Sequence, residues 1–562
     1  MDALIVGCKQ EFKDIVGDFP ECSFFASNYS TYVSLKGLGV KYLYDSTIDI
    51  TNAPNDLEFL SMNWYRNDKG FDIFSKDLIS FAPAITRRVF SSFANDYRNY
   101  YAIKKLFDDY DLVYLSKYAE LSFIRTAKVF ENRVKWYESE KRYEYPDTSS
   151  PERTVINNPS NKFIIASKIA YIFQSLFIRL IRKNTLVLDD WTYREEFSKR
   201  DDCLISNYYL PWKAFYFSYS RDVMPESKLI FPKVILSDAF NSGFIKDKLS
   251  KEHFSWDQDL VELFVSTVFR VYTESYVVLR QTYSVYSKLL SHYRPNTVVF
   301  PGESYFSYII AAQIAKKCKI KTVLAIDGYQ VLKERALFFY DYNNKNLLFD
   351  KYVAFGESQR KLYDKHQNIP SNQVVVAQSP IINKLTADND INYKYDAIVM
   401  SYLPNQHNPN ARWDQRYKIT IDAVKVIHSL GLNSVAVKIK DGVNRDKEIQ
   451  MYKNHFTDSD QSYCPDIIIG EFNQYLSKTK FIVGQISSAL FEASCKKVPY
   501  IVYEPYDNGV TDYSLKESIL INRDSIARDT HELGEMIRRK ETSVMVEYKD
   551  LTSGLPLREL QL

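Results

Sequence analysis

Apolar positions along the chain recur with two periods. Short apolar runs at Ala3–Val6 and Ser23–Ala26 read as buried strands with a short helix between them, and Val33–Val40 leads into a third strand at Tyr42–Tyr44. This is the opening of an α/β unit. From about 56 to 291 helical spacing dominates, in stretches such as Pro83–Lys105 and Leu260–Tyr293, with strand-like interruptions at Leu112–Leu115 and Thr185–Leu188. No Gly/Ser-rich or Pro-rich linker sets this stretch apart, so it is expected to be a mostly helical elaboration of the first unit.

The pattern sharpens at strand Thr297–Phe300, followed by the turn Pro301-Gly302-Glu303-Ser304, helix Tyr305–Lys317 and strand Thr322–Ile326. That is a βαβ unit. Strand Lys351–Phe355, helix Ser358–His366 and strand Gln373–Val376 extend it, and the polar stretch Ile381–Lys394 predicts a boundary. Alternation restarts at strand Asp396–Met400. It continues through a polar loop at Ser401–Trp413, helix Arg416–Leu430 and strands at Ser434–Ile439, Asp466–Ile469, Phe481–Val483, Pro499–Tyr503 and Ser518–Ile521, closing with a helix near His531–Lys540. The expected fold class is α/β, with two Rossmann-like units over 1–381 and 382–562 facing a cleft. Ligands in such open sheets bind at the carboxyl ends of the strands.

A chain of 562 residues exceeds a single small binding module, and 73 basic against 70 acidic side chains leave no basic stripe for a duplex. Nucleic acid is therefore not an expected partner. Aromatic residues make up 15% of the chain, which either supplies stacking surfaces for sugars or reflects the habit of the source genome. The six cysteines are scattered without a C-x-x-C pair, suggesting neither zinc nor a disulfide framework, and a reducing compartment fits best. Met1–Gly7 lacks the basic and apolar regions of an export signal and reads at once as a strand. The apolar positions of Phe163–Ile181 keep helical spacing around Lys168 and Arg179, so this helix is amphipathic and not spanning. It packs on a sheet or lies on an anionic bilayer surface.

The most specific local pattern runs from Phe481 to Tyr503. A strand delivers Gly484 and Gln485 to its carboxyl end, Ser487 and Ser488 open a helix where backbone N–H groups can hold a phosphate, and Glu492 lies one turn on. The alternative is that Ser488 is an N-cap and Glu492 a solvated helix residue. The run Ser487-Ser488-Ala489-Leu490-Phe491-Glu492-Ala493, followed by Val498-Pro499-Tyr500-Ile501-Val502-Tyr503, resembles the donor-nucleotide segment of GT-B glycosyltransferases. The resemblance implies that the serines contact the donor phosphate and Glu492 its ribose. Lys438 matches the lysine of bacterial surface-polysaccharide transferases, but Lys440 and Asp441 stand where those enzymes show His-Pro. Phosphate contact is expected of Lys438 or Lys440.

The cluster Ala325-Ile326-Asp327-Gly328-Tyr329 is similar to the Glu-Asp-Gly-Phe signature of capsular-polysaccharide Kdo transferases, with Ile326 in the place of the Glu. That likeness makes Asp327 the first choice for a catalytic role and Glu303 its helper, although Asp-Gly after a strand is also simply a favoured turn. Gln406, His407 and Asn408 lie in the loop after the first strand of the second unit, which resembles the first strand-to-helix loop of GT-B donor domains. They are candidate ligands for a donor phosphate or sugar carboxylate, or belong to a polar surface loop. The D-x-D matches at Asp109/Asp111, Asp388/Asp390 and Asp458/Asp460 do not follow strands as that metal-binding motif does, so no metal is expected. P-loop, G-x-G-x-x-G, H-E-x-x-H and G-x-S-x-G strings are absent.

Taken together, the resemblance implies a metal-independent, retaining glycosyltransferase without a cofactor. It would take a CMP-activated ulosonic acid such as Kdo, or a sialic-type sugar, and a surface glycan or glycolipid acceptor, acting in the cytoplasm or at the inner face of the cytoplasmic membrane. Two other readings stay open. One is a UDP-sugar 2-epimerase or glycerol-phosphate polymerase on the same fold, and the other is a catalytically silent glycan-binding protein.

Overall fold

A computed structural model of the chain describes residues 2–44, 64–66, 79–137, 184–189, 196–207, 242–251, 256–302, 306–325, 340–341, 346–380, 392–401, 415–439, 445–458, 464–505, 521–545 and 548–561, apart from the single positions 118, 120, 198, 368, 488 and 552. Among these the strands form three parallel sheets and one short hairpin. The first sheet holds β1 (Ala3–Val6), β2 (Ser23–Ala26), β3 (Lys41–Tyr42), β4 (Val113–Ser116) and β5 (Val134–Tyr137) in the order β3-β2-β1-β4-β5. Helices α1 (Lys9–Ile15) and α2 (Tyr29–Leu35) connect its opening strands. The second sheet holds β6 (Thr185–Asp189), β7 (Cys203–Asn207), β8 (Thr297–Phe300), β9 (Lys321–Leu324), β12 (Lys351–Phe355) and β13 (Val374–Ala377) in the order β13-β12-β9-β8-β6-β7. The hairpin β10 (Tyr340–Asp341) and β11 (Asn346–Leu347) falls between β9 and β12 in the chain.

The third sheet holds β14 (Tyr395–Met400), β15 (Val435–Lys438), β16 (Asp466–Ile468), β17 (Thr479–Gly484), β18 (Tyr500–Tyr503) and β19 (Ile526–Ala527), ordered β16-β15-β14-β17-β18-β19. Its central strands are buried on both faces, as expected for Val/Ile runs covered by helices on either side.

The α/β class and most element positions agree with the sequence. Residues 1–381, however, hold two parallel sheets. The strand-like Leu112–Leu115 becomes β4 and pairs with β1, whereas Thr185–Leu188 becomes β6 of the second sheet. Four-residue apolar runs carry no information about which neighbour they pair with, so the division was not legible. Among the described residues the last strand of the third sheet is Ile526–Ala527, and only Ile521 of the expected Ser518–Ile521 is described. Ile521 makes an isolated bridge to Val544.

The expected helical stretches form a layer between the first two sheets. Helix α3 (Ala82–Asp109) buries Ile85, Val89, Phe93 and Tyr97 in the core of the second sheet and Ala102, Ile103 and Leu106 in that of the first. Asp96 on α3 is fully buried. It accepts from Arg125 of α4 (Leu121–Ala127) at 2.5 Å and from Thr267 of α5 (Gln258–Tyr293) at 2.7 Å. Asp257 caps α5 by accepting from the backbone N–H of Leu260, and also accepts from Tyr100 and Lys104 of α3.

Further along, α6 (Phe306–Lys317) links β8 to β9, and α7 (Glu357–Gln367) follows β12. In the third unit come α8 (Gln415–Ser429), α9 (Arg445–Asp458), α10 (Ala489–Cys495) and α11 (Thr530–Arg539). The chain then returns to the second sheet. The first turn of α7 receives side-chain acceptors from the tail: Ser358 N–H donates to Asp550, on α12 (Tyr548–Leu551), at 2.9 Å, and Glu357 N–H donates to Ser553 at 3.2 Å. Gln378 N–H donates to Leu555 O, and the Arg200 guanidinium donates to Leu560 O at 2.6 Å. Gly554 has φ +88°, and a Cβ there would lie 2.6 Å from Val376 O, so glycine is required for this approach. One apolar core joins strands of the second and third sheets with Leu557 and Leu560 of the tail.

Candidate functional site

In the third sheet the chain leaves β14 in one direction to build β15 and β16, then crosses back to build β17, β18 and β19 on the other side. The strand order reverses between β14 and β17. Such a reversal at the carboxyl ends is the place where open α/β sheets bind ligands. Four polar residues follow or end neighbouring strands at this edge: Lys438 on β15, Ser401 after β14, Gln485 after β17 and Glu504 after β18. Each is at most 8% exposed. Burying polar groups is unfavourable unless each finds a partner, so the bonds at this edge are informative.

On the β14 side the partners are found within the protein. Ser401 donates to Glu448 of α9, lies 2.6 Å from the Tyr452 hydroxyl, and its N–H donates to Lys438 O. Glu448 pairs with Arg416 of α8 at 3.5 Å, both nearly inaccessible. Burial, reinforced by the Glu448 charge, pushes the Tyr452 phenol well above its ordinary pKa, so it stays protonated. The Lys438 ammonium donates to Ile439 O at 2.7 Å.

On the β17 side the bonding is less complete. Gly484 allows the Tyr500 ring to lie against the strand end, since a Cβ would collide with the phenol and with Met400. The Tyr500 hydroxyl donates to Gln485 O at 2.8 Å and so fixes the turn. Gln485 Oε1 is buried without a hydrogen-bond partner among the described residues. Glu504 accepts from Ile486 N–H at 3.3 Å. Burial pushes its carboxyl up to about 7, and the opposing pull of that N–H and of Arg528 is smaller. Ser487 Oγ accepts from Ala489 N–H at 3.2 Å, leaving its O–H hydrogen to donate elsewhere.

Of the residues singled out by sequence, Lys438, Gln485 and Ser487 come to this one edge, and Glu492 is half-buried on α10. Asp327, Glu303, Lys440, Ser488, Gln406, His407 and Asn408 lie outside the described residues, as does the Phe163–Ile181 helix. Glu303 and Asp327 each follow a strand, β8 and β9, by three residues, and those strands are parallel neighbours in the second sheet. Sequence reasoning passed over Ser401, Arg416, Glu448, Tyr452 and Glu504. Glu504 carried a usable signal, since it directly follows the last residue of a confidently placed strand. Glu448 and Tyr452 did not, because the polar helix Arg445–Asp458 was itself unanticipated.

No family model matches the chain, and no curated protein matches it. Solved structures similar to it include the Methanocaldococcus jannaschii UDP-GlcNAc 2-epimerase in complex with UDP-GlcNAc and UDP, at 14% identity over 49% of this chain and 79% of that one, TM-score 0.34. The Neisseria meningitidis UDP-GlcNAc 2-epimerase bound to UDP-GlcNAc is 11% identical over 63% of this chain and 90% of that one, TM-score 0.35. Anabaena HepE in complex with UDP and glucose is 9% identical over 64% and 89%, TM-score 0.33. The α/β class of this chain rests on its own three sheets. Among the described residues, no helix is long and apolar enough to cross a membrane.

Proposed function

We propose that the chain is a nucleotide-sugar enzyme of the GT-B type, with 382–562 as its donor-binding unit and the second sheet supplying the reacting carboxylates. The observation that carries this reading is the polar edge at the switch point of the third sheet. Lys438, Gln485 and Ser487 come there to the carboxyl edge, where open α/β sheets bind nucleotides. The finer reading is a glycosyltransferase moving a CMP-activated ulosonic acid, Kdo or a sialic-type sugar, to a surface glycan or glycolipid. It is supported by the Asp327 cluster and the serine-rich donor segment.

Displacing the nucleotide passes through an oxocarbenium-like transition state. A carboxylate then either deprotonates the acceptor hydroxyl or attacks the anomeric carbon to form a glycosyl-enzyme. Asp327 takes this role, with Glu303 as helper on the adjacent strand end. Lys438, Ser487, Ser488 and Lys440 hold the donor phosphate, Glu492 the ribose, and Gln406, His407 and Asn408 bind a donor phosphate or the sugar carboxylate. Peripheral contact with an anionic bilayer through the Phe163–Ile181 helix belongs to the same proposal.

A thermal-shift panel of CMP, CDP, UDP, GDP and ADP tests the site. A ligand at 100 times its dissociation constant adds about 2.7 kcal/mol of stability. Selective stabilisation by CMP is expected. Selective stabilisation by UDP would move the chemistry to a UDP-sugar, transfer or 2-epimerisation, and no response would end the nucleotide reading. Asp327→Ala is expected to lower turnover at least about 100-fold while the nucleotide shift persists, and near wild-type turnover would remove Asp327 from the mechanism.

A further inference from the structure

The β17 and β18 ends are adjacent. Gly484 is in register with Val502, so the turn Gln485–Ser487 runs alongside Glu504. Two polar side chains on these adjoining ends, Gln485 and Glu504, are each only 4% exposed. Ile486 N–H serves one Glu504 oxygen, and Gln485 Oε1 has no partner among the described residues. The charged group that acts on Glu504 from the neighbouring strand end is Arg528, whose backbone N–H donates to Glu532 of α11 at 2.6 Å. The β17–α10 turn contributes no charge.

A negative phosphate brought to this edge by Ser487 and Lys438 would meet the Glu504 carboxyl across a poorly solvated corner. Two like charges there cannot both persist, and the carboxyl is the group able to neutralise. We propose that Glu504 takes up a proton when a nucleotide phosphate binds, turning from an acceptor into a hydrogen-bond donor, with the Gln485 amide completing the contact. The proposal rests on the nucleotide-sugar reading of this edge. The proton comes from solvent, and no covalent bond changes. Burial already pushes this carboxyl up to about 7, close to where such a switch would work. The sign follows: an anion favours the protonated form, so affinity is greatest below that value and falls as pH rises through it.

CMP-N-acetylneuraminate and UDP-N-acetylglucosamine are suitable probes, because their phosphate diesters do not themselves titrate in this range. Calorimetric titration from pH 6 to 9 is expected to show affinity for the preferred probe weakening by up to about tenfold per pH unit above neutrality. Glu504→Gln, isosteric and permanently uncharged, is expected to bind with a flat profile. Near pH 8, titration of the unaltered protein in two buffers of different ionisation enthalpy should reveal proton uptake on binding, a readout independent of the variant. A wild-type profile as flat as that of Glu504→Gln, or one rising with pH, overturns the proton coupling while leaving the nucleotide site standing. Absence of binding by both probes at every pH overturns the nucleotide reading and this inference with it.

Discussion

The first and third sheets share a strand pattern, and both reverse order beside their first strand, yet their carboxyl edges are finished differently. At the end of β1, Glu11 of α1 is fully buried and accepts from Gly7 N–H at 2.5 Å and from the Tyr137 hydroxyl at 2.7 Å. Asn28 and Thr31 both donate to Gly7 O, at 2.7 and 2.8 Å. A carboxylate thus closes this edge with the protein's own donors. At the end of β17, among the described residues, Gln485 Oε1 lacks a partner and Glu504 accepts from one N–H. The same topology is used once for stability and once, in our reading, for binding. Topology places such an edge, and the completeness of its hydrogen bonds decides whether it is occupied from within.

The sharpest test of this contrast is Glu11→Ala. It strands a buried N–H and a buried phenol, and should lower unfolding stability by about 4 kcal/mol without changing nucleotide affinity. Chemical denaturation measures the first part, and a loss below about 1 kcal/mol would mean that the first edge is not closed as described. Glu504→Gln should act in the opposite direction. At pH 8 the unfolded carboxyl is ionised at no cost, whereas the folded one must ionise in a buried corner. Removing that penalty should stabilise the protein by on the order of 3 kcal/mol. The gain should shrink as pH falls from about 7 towards the ordinary glutamate value near 4.5, below which both states carry the proton. Denaturation curves at pH 5 and pH 8 that show equal gains would contradict this. The smallest effect is expected away from both edges, at the tail. Asp550→Ala removes the acceptor for Ser358 N–H and should cost about 1 kcal/mol, seen as a modest drop in melting temperature.

Much of the architecture was legible because buried parallel strands are written as continuous apolar runs. Thr297–Phe300 and Lys351–Phe355 fall where expected to the residue, and the helices expected at Pro83–Lys105 and Leu260–Tyr293 extend a few residues further, to Ala82–Asp109 and Gln258–Tyr293. Polar elements were harder to read. Helix Arg445–Asp458 buries Glu448 and His455 along with Tyr452 and Phe456, so polar residues interrupt its inward face. Within the site, Lys438, Gln485 and Ser487 were legible as residues at strand ends, whereas Glu504 needed its neighbours to acquire meaning.

The sequence alone determined the period of each element, the parallel α/β class and the set of polar residues that follow strands, because these depend on local pattern and on the reach of a few residues. Tertiary structure decided the rest. It split the first 381 residues between two sheets, returned the tail to cap α7, and set Glu504 beside the Gln485 turn, since pairing partners and burial are properties of segments far apart in the chain. A carboxyl titrating near neutrality arises from the water that the fold removes around it, and no pattern along the chain records that.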